Sequence, residues 1–560
     1  MDAPSKTVIL GPAGTGKTTK LIEEIKASLE YYHPSEIGFA TFSREAAENI
    51  GARLAEELGY PDLKSAGFKW FGTIHSLAFK AMHMSGYKPK VAEKHHYADF
   101  CQQRKIKYHN QDTADFTKLM QKNEHNTLGN AIFQAINRAR LTDHQDPEPL
   151  LPKIVKAKNG GQRGRATIMR LLVEWEQYKK EQGIIDYTDM LIHVVSNDFR
   201  PPIAALFVDE FQDLNPIQYR IFQQWQDGIE AVTIAGDDDQ NIYEHVLGTE
   251  SRHLIQEWEN ADRQILLDTN YRTPKPILAY GRKLIEKNKE RVNKDIKATK
   301  QEGVIKKGLP SQVLSWINNI NSNETFLILA PTNHMAINMS KVLTDRNIPH
   351  MRYGGKTLWD DNQIKHISSF LHHITHKNVA LRREGYYTAL ATKKLLPRDT
   401  RKNIKEELRL IEQHYRDPKK YKEPACGLNI TIEQFLGLYG PMMKWQPDPM
   451  ETIVKELDIS TARKKIIRKA YKEKKLFAEA HHCHLGTIHS SKGHQAEHVL
   501  LFTDLTKNFN EEASKNPEYM RRLFYTAINR ASKSVLIVDR YFRTGYRYPL
   551  NTPRKEAVAA

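Results

Sequence analysis

Thr7-Val8-Ile9-Leu10 runs directly into Gly11-Pro12-Ala13-Gly14-Thr15-Gly16-Lys17-Thr18, and the reading of this stretch decides the fold. The four apolar residues predict a short buried strand, and the pattern from Thr19 to about Glu30 predicts a helix. Strand, G-x-x-x-x-G-K-T and helix in that order are the context of a phosphate-binding loop. Glycines let successive backbone N–H groups turn inward around phosphate oxygens at a helix N-terminus, where the helix dipole also favours anions. In such a loop Gly11, Pro12, Ala13, Gly14, Thr15 and Gly16 form the cradle, with Thr19 just beyond it. Lys17 reaches the terminal phosphates and the Thr18 hydroxyl ligates Mg²⁺.

A second element narrows the chemistry. Ile203 to Val208 predicts an apolar strand with Asp209-Glu210 at its C-terminal end, where open α/β sheets bind ligands. One carboxylate, Asp209, can hold the Mg²⁺ shell while Glu210 polarises an attacking water. Phe211-Gln212-Asp213-Leu214-Asn215-Pro216-Ile217-Gln218 follows, then a strand from Ala231 to Ala235, then Gly236-Asp237-Asp238-Asp239-Gln240-Asn241-Ile242-Tyr243.

These residues carry a resemblance. DEFQDLNPIQ followed by GDDDQNIY resembles the UvrD/Rep branch of superfamily 1 helicases, and motifs in that family's order extend over nearly the whole chain. The resemblance implies an α/β fold of two RecA-like parallel-sheet P-loop lobes with inserted, mainly helical subdomains. It implies ATP and Mg²⁺ as cofactors, and single-stranded DNA and single-strand/duplex junctions as partners. By the same match Gln240 reads the γ-phosphate. Asp268-Thr269-Asn270-Tyr271-Arg272-Thr273-Pro274 resembles the family's NYRS segment, so Tyr271 stacks on adenine and Arg272 reaches the γ-phosphate. Arg521-Arg522-Leu523-Phe524-Tyr525-Thr526-Ala527-Ile528-Asn529-Arg530-Ala531 resembles a family helix that makes Arg530 a second arginine finger. An arginine from the opposite lobe makes closure a condition of hydrolysis.

Strand contacts follow from further matches. Thr41-Phe42-Ser43-Arg44-Glu45-Ala46-Ala47 is similar to the family's TFTxxAA segment, and Gly72-Thr73-Ile74-His75-Ser76 to the next strand end that touches DNA. The resemblance places Thr41, Phe42, Ser43, Thr73, His75, Tyr243, His245, Thr487 and His489 on the nucleic acid. Gly72–Ser76 recurs letter for letter as Gly486-Thr487-Ile488-His489-Ser490, followed by Ser491-Lys492-Gly493, as duplicated lobes would show. Such contacts position a strand without reading its sequence.

Departures from the family pattern accompany the matches. His245 and Val246 stand where relatives carry a large ring and often an arginine. Gln495 stands where relatives have the glutamate of a KGLE segment, and it is placed with the nucleotide-binding residues. Six residues precede the predicted first strand, too few for the family's upstream adenine-reading glutamine, so base selectivity is left open between ATP and other NTPs. Thirty residues follow Arg530, so no appended nuclease or C-terminal extension is expected.

The composition agrees with a polyanionic partner. The chain has 560 residues, beyond what one core usually supports, and 40% hydrophobic with 27% charged residues marks it as globular. Lys plus Arg number 84 against 67 Asp plus Glu, a net charge of +17, and each neutralised phosphate releases a counterion. The three cysteines, Cys101, Cys426 and Cys483, form no C-x-x-C pair, which speaks against a disulfide framework or zinc ribbon. His481-His482-Cys483-His484 lacks metal-ligand spacing and predicts the lead into a buried strand. No leader-like apolar segment and no bilayer-spanning run is present, so no membrane partner and a cytoplasmic location (host cytoplasm for a viral chain) are expected.

The expected division is 1–96 and 184–261 for the first lobe, with a helical insertion over 97–183. The second lobe takes 262–360 and 480–560, with a basic helical insertion over 361–479. From Lys377 to Glu423 there are 14 Lys plus Arg against 7 Asp plus Glu, with Tyr386, Tyr387, Tyr415 and Tyr421 among them, and Arg463 to Lys475 predicts another basic helix. The leading expectation is an ATP-driven 3′–5′ DNA helicase. A translocase that mainly displaces bound proteins, an RNA-directed motor, and a nucleotide-gated binding protein without turnover are the alternatives. Replication or repair proteins are further candidate partners.

Overall fold

A computed structural model describes residues 5–109, 127–141, 161–319, 324–346, 348–353 and 482–550, with isolated positions between 357 and 468. The chain divides into two compact units: Met1–Trp316 with Leu329–Asn333 and Thr487–Ala560, and Ile317–Ile328 with His334–Gly486.

The first unit is built on a six-stranded parallel sheet. Its strands are β1 (Ser5–Leu10), β2 (Ile37–Thr41), β3 (Trp70–Thr73), β4 (Ala205–Val208), β5 (Ala231–Gly236) and β6 (Arg263–Leu266), in the order β3-β2-β4-β5-β1-β6. Val8, Ile9 and Leu10 are all fully buried, as expected of a strand covered on both faces. β1 pairs in register with β5 from Ser5↔Ala231 to Leu10↔Gly236, which brings the C-terminal ends of the two strands side by side. Helices α1 (Lys17–Ser28) and α2 (Arg44–Glu57) follow β1 and β2. The inward faces of these helices, Leu21, Ile22, Ile25, Ile50 and Leu54, pack on Ile9, Ile37, Phe39 and Phe207 in one core.

Local chemistry fixes the helix starts. α1 begins at Lys17, two residues earlier than the apolar periodicity predicts, because Gly16 caps it in the left-handed region at φ 88°. Ser43 caps α2 by accepting from Ala46 N, and Thr73 caps α3 (Ile74–Met84) by accepting from Ser76 N.

Between α3 and β4 the chain leaves the sheet. The short parallel pair Lys90–Val91 with Ile184–Ile185 brackets helices α4 (Lys94–Gln103), α5 (Leu128–Leu141) and α6 (Gly161–Gln182). Tyr97, Phe100, Phe133, Trp175 and Tyr178 form their core. Glu176, Asp186 and Asp189 cluster closely enough for a cation, but Lys179 and Arg140 already neutralise the group. Burial alone would raise the Asp186 carboxyl; Arg140 and Lys179 outweigh it and hold the carboxyl well below the usual range.

After β6, helix α7 (Lys275–Ile285) leads to three parallel strands of a second sheet within the same unit. β7 (Val304–Gly308) and β8 (Ala496–Phe502) each pair with β9 (Ala531–Val538). Helix α8 (Pro517–Ile528), capped by Asn516, precedes β9. The Arg521–Ala531 segment, expected to be helical throughout, is helical only to Ile528. The Arg530 amide bonds the Ala527 carbonyl to close the last turn at 3.3 Å, and strand pairing takes over at Ala531.

In the second unit, strand Met351–Arg352 pairs in parallel with the stretch beginning at Cys483. The thiol of Cys483 is buried and pushed well up, and His350 is held by Ser340 at 2.7 Å. The basic stretches Lys377–Glu423, with its tyrosines, and Arg463–Lys475 lie outside the described residues, apart from Arg409, Lys464, Lys465, Arg468 and the buried Ile467. Among the described residues no helix is long and apolar enough to cross a membrane.

Candidate active site

The site lies at the C-terminal edge of the first sheet, where β1, β4 and β5 end. Gly14 and Gly16 have φ of 89° and 88°, conformations that side chains other than glycine's rarely adopt. A Cβ on Gly14 would also lie 2.5 Å from Cβ of Arg272, so the loop is moulded against the Tyr271–Arg272 segment. Asn270 fixes that fit: its Nδ2 donates to Ala13 O at 2.9 Å, while its Oδ1 accepts from the amides of Arg272 and Thr273 at 2.9 and 2.7 Å. The Tyr271 amide donates to Gly14 O at 2.9 Å, and the residue is 62% exposed beside the loop. Lys17 Nζ lies inside the loop and donates to Gly11 O at 2.7 Å and Pro12 O at 3.4 Å. Thr15 is tied to Pro12 O, and Thr18 and Thr19 stand half-buried on the first turn of α1.

Asp209 and Glu210 follow β4. Glu210 has φ 52°, the left-handed region, which is strained for a glutamate; such strain recurs at functional sites. Its amide donates to Asp209 Oδ1 at 2.9 Å, and Gln212 Nε2 donates to Glu210 Oε2 at 2.6 Å. The two carboxyls are driven apart. Burial first, and the neighbouring Glu210 second, push Asp209 up to about 7. Burial would also raise Glu210, but Lys492 and Lys17 outweigh it and lower that carboxyl. The donor set fits a divalent cation: a hydroxyl at Thr18 and a buried carboxyl at Asp209 whose ionised form an adjacent cation would favour.

Gln240 sits on the turn after β5, its Nε2 bonded to Asp237 Oδ2 at 2.6 Å. Arg530 Nη2 donates to Gln240 Oε1 at 3.0 Å and Nη1 to His494 O at 3.5 Å, while its buried Nε has no hydrogen-bond partner among the described residues. Burial, then the Arg530 cation, lowers Arg272 to about 10, opposed by Glu210. Lys17, Asp209, Glu210, Gln240, Arg272 and Arg530 therefore share one electrostatic neighbourhood. Gln495 is exposed on the turn after Gly493.

Three of the residues expected on the nucleic acid, Phe42, Tyr243 and His489, touch one another. Phe42 stacks on Tyr243 with centroids 5.2 Å apart. Tyr243 Oη donates to His489 O at 3.3 Å, and His489 Nε2 lies 2.9 Å from Tyr519 Oη. Thr41 is fully buried, and Ser43 is occupied as the cap of α2. His245 lies on the short helix Glu244–Leu247, and its side chain is outside the described residues.

The sequence repeat is a structural one. Thr73 N donates to Ser76 Oγ at 2.9 Å, Ser76 N to Thr73 Oγ1 at 3.3 Å, and Ser76 Oγ to Thr73 O at 2.8 Å. Thr487 and Ser490 repeat all three bonds at 2.9, 3.1 and 3.0 Å. The same five residues thus form the same turn twice, each holding a histidine, His75 or His489, just beyond a strand end.

Burial lowers the His75 imidazole from 6.5 to about 4, so it is neutral at pH 7. As pH falls from about 6.5 toward 4, the unfolded chain takes up a proton that the native state refuses, and native stability is lost across that window. His75→Gln is expected to flatten this part of the acid dependence. Thermal unfolding of both proteins between pH 7 and pH 4.5 measures it, and parallel curves would place the acid sensitivity elsewhere.

Several residues here were not singled out from the sequence. Asp237, Asp238 and Asp239 are buried in succession, and Arg291 and Lys294, from the loop after α7, neutralise them. Arg291 grips Asp239 through Nε and Nη2 at 2.9 and 2.8 Å, and Lys294 Nζ lies 2.5 Å from Asp238 and 2.8 Å from Asp239. Lys492 Nζ donates to Asp213 Oδ1 at 2.6 Å. Three consecutive carboxylates ending a buried strand demand cations from elsewhere in the chain, and that demand was the available signal.

Comparison with known proteins agrees with this architecture. The chain is 25% identical to DNA helicase II of Escherichia coli over 400 residues, covering 67% of this chain and 53% of the relative. It is 23% identical to the ATP-dependent DNA helicase PcrA of Leuconostoc citreum over 66% of this chain and 50% of the relative. With the ATP-dependent DNA helicase Rep of Buchnera aphidicola it shares 22% identity over 96% of this chain and 93% of the relative. The chain spans about half the length of the first two relatives. The UvrD/REP helicase N-terminal domain matches residues 3–257, and two UvrD-like helicase C-terminal domains match 265–435 and 482–538, so the chain belongs to the UvrD/Rep helicase family.

Proposed function

We propose that the chain is an ATP-dependent DNA helicase that moves 3′ to 5′ along single-stranded DNA and opens duplex at a junction. The observation that carries this reading is the bond from Arg530 to Gln240. It brings an arginine at the start of β9 onto the turn after β5, beside Glu210, Lys17 and Arg272. Lys17 and the loop amides would hold the phosphates, Glu210 would orient and deprotonate the attacking water, and the two arginines would neutralise charge on the transferring phosphoryl. Mg²⁺, held by Thr18 and Asp209, would supply Lewis-acid stabilisation of the phosphate oxygens. Tyr271, exposed beside the loop, offers a face for a base. Phe42, half-buried and backed by the buried ring of Tyr243, offers a face for bases of the strand, and the surplus of cations supports sequence-independent grip on phosphates. The direction rests on the likeness of the motifs to the UvrD/Rep branch.

The test is strand separation on tailed duplexes with hydrolysis counted in parallel. Duplexes with a 3′ single-stranded tail are expected to open with ATP, and those with only a 5′ tail to stay closed. Strand binding should weaken steeply between 50 and 200 mM salt, by about 10³-fold or more if six or more phosphates are contacted. Opening from the 5′ tail alone would reverse the direction, and the absence of strand-stimulated hydrolysis would overturn the motor itself. Stimulated hydrolysis with displacement of bound protein but no opening would favour the translocase, and matching RNA substrates test the RNA-directed alternative.

A further inference from the structure

Lys492 stands between the two groups of residues just described. Its side chain is 8% exposed, and its ammonium has three donors to place. One goes to Asp213 Oδ1 at 2.6 Å and one to Gln240 O at 2.9 Å, while Glu210 Oε2 lies 3.8 Å away. The same nitrogen lies 5.3 Å from the centroid of Tyr243, the ring that stacks on Phe42. The backbone strengthens the connection. The Lys492 amide donates to His489 O at 3.3 Å, and that carbonyl also accepts from Tyr243 Oη at 3.3 Å. One buried cation therefore touches the carboxylate loop after β4, the carbonyl of Gln240 and the aromatic face on the strand side.

We propose that Lys492 is the positioning residue through which nucleotide and strand influence each other. This rests on the reading of the chain as a strand-bound ATP motor. Any movement of Gln240 or Glu210 toward a γ-phosphate displaces the acceptors of a desolvated ammonium. That ammonium cannot leave one anion without strengthening its hold on another partner, because an unpaired buried charge is costly. The partner on the strand side is the face of Tyr243, and cation–π attraction is strongest where water is excluded. Conversely, a base that stacks on Phe42 or shifts Tyr243 changes the seat of Lys492 and with it the orientation of Glu210. Asp213 anchors the lysine, and burial pushes its carboxyl up to about 7 despite the lysine beside it.

The coupling can be measured without hydrolysis. Affinity for a fluorescent oligothymidylate is determined with and without Mg²⁺ and a non-hydrolysable ATP analogue. The wild-type ratio of the two affinities is expected to lie within the usual range of allosteric coupling, about 5- to 150-fold. Lys492→Met keeps the aliphatic stem and removes the charge, so its ratio should fall close to one. Lys492→Arg should restore part of it, and thermal unfolding of both variants reports whether they fold. Should Lys492→Met fail to fold, Tyr243→Leu, which removes the ring and leaves the cation, is expected to collapse the ratio in the same way. A folded Lys492→Met with the wild-type ratio overturns the proposal, as does a wild-type ratio of one. A Tyr243→Leu variant that retains the ratio overturns it equally. The strand-separation assay is scored separately, so loss of the motor reading and loss of this coupling are told apart.

Discussion

Glu210→Gln is expected to slow ATP hydrolysis by about 10²- to 10⁴-fold, the usual worth of a positioned general base, while leaving Mg–ATP and strand binding close to wild type. The two carboxyls after β4 sit in different surroundings. Lys492 and Lys17 overcome the effect of burial on Glu210 and keep it ionised at neutral pH, whereas burial pushes Asp209 up to about 7. Glutamine preserves the shape and can still pair with Gln212, so the cradle formed by Gly14, Lys17 and Asn270 is undisturbed. Single-turnover hydrolysis separates the chemical step from binding, and a fluorescent nucleotide titration reports affinity. Hydrolysis within a few-fold of wild type would move the base to another residue, with Asp213, at 2.6 Å from Lys492, the next to test.

The parts of this site that were legible in the sequence are local. A buried strand, two glycines that need φ near 88°, and a lysine and threonine opening a helix lie within a dozen residues, and backbone chemistry alone dictates their arrangement. The acidic pair after β4 is legible for the same reason. The letter-for-letter repeat at Gly72 and Gly486 was legible as a duplication, and the structure shows that its content is a three-bond Thr–Ser turn. Arg530 was legible as a residue but not in its setting. The helix stops at Ile528, and the competition between one more helical turn and pairing with β8 is decided by tertiary contacts. Lys492 and Asp213 are separated by 279 positions, and Arg291 and Asp239 by 52, so no local window holds both members of either pair. What the sequence does state is the need: carboxylates at the end of a buried strand require cations, though it does not name the donors.

The buried cluster around Asp237–Asp239 fixes the turn that carries Gln240. Asp237 holds Gln240 from one side, and its amide is fixed by Gln212, which also holds Glu210. Burial would lower the Lys294 ammonium, but Asp238 and Asp239 outweigh it and push it up, so it stays charged through the physiological range. Gln240 is thus positioned by an ionic framework that ties the loop after α7 to the turn after β5. A glutamine held this way presents its carbonyl to Arg530.

Arg272→Ala and Arg530→Ala are each expected to retain ATP binding and to hydrolyse it about 10³-fold or more slowly, and the double variant is expected to be little worse than either single one. The electrostatics motivate the expectation. Burial and the Arg530 cation lower Arg272 to about 10, and burial lowers Arg530 as well. Two guanidiniums so placed repel one another, and Glu210 is the nearby carboxylate that favours the charge on both. An arriving triphosphate would relieve that repulsion, so the pair is tuned to a polyanion and most of all to the charge that develops during phosphoryl transfer. Arg530 has a further requirement, because its Nη2 is committed to Gln240 while its buried Nε has no partner among the described residues. Lysine at either position would keep the charge but lose the planar fork that serves two acceptors at once, so Arg530→Lys should recover little of the rate. If both arginines act in one closed transition state, removing the first already forfeits that state and the second has nothing left to stabilise. Steady-state and single-turnover hydrolysis of the two single variants and the double variant decide the matter. Losses that multiply, with the double variant slower by the product of the singles, would mean that the two arginines act in separate steps.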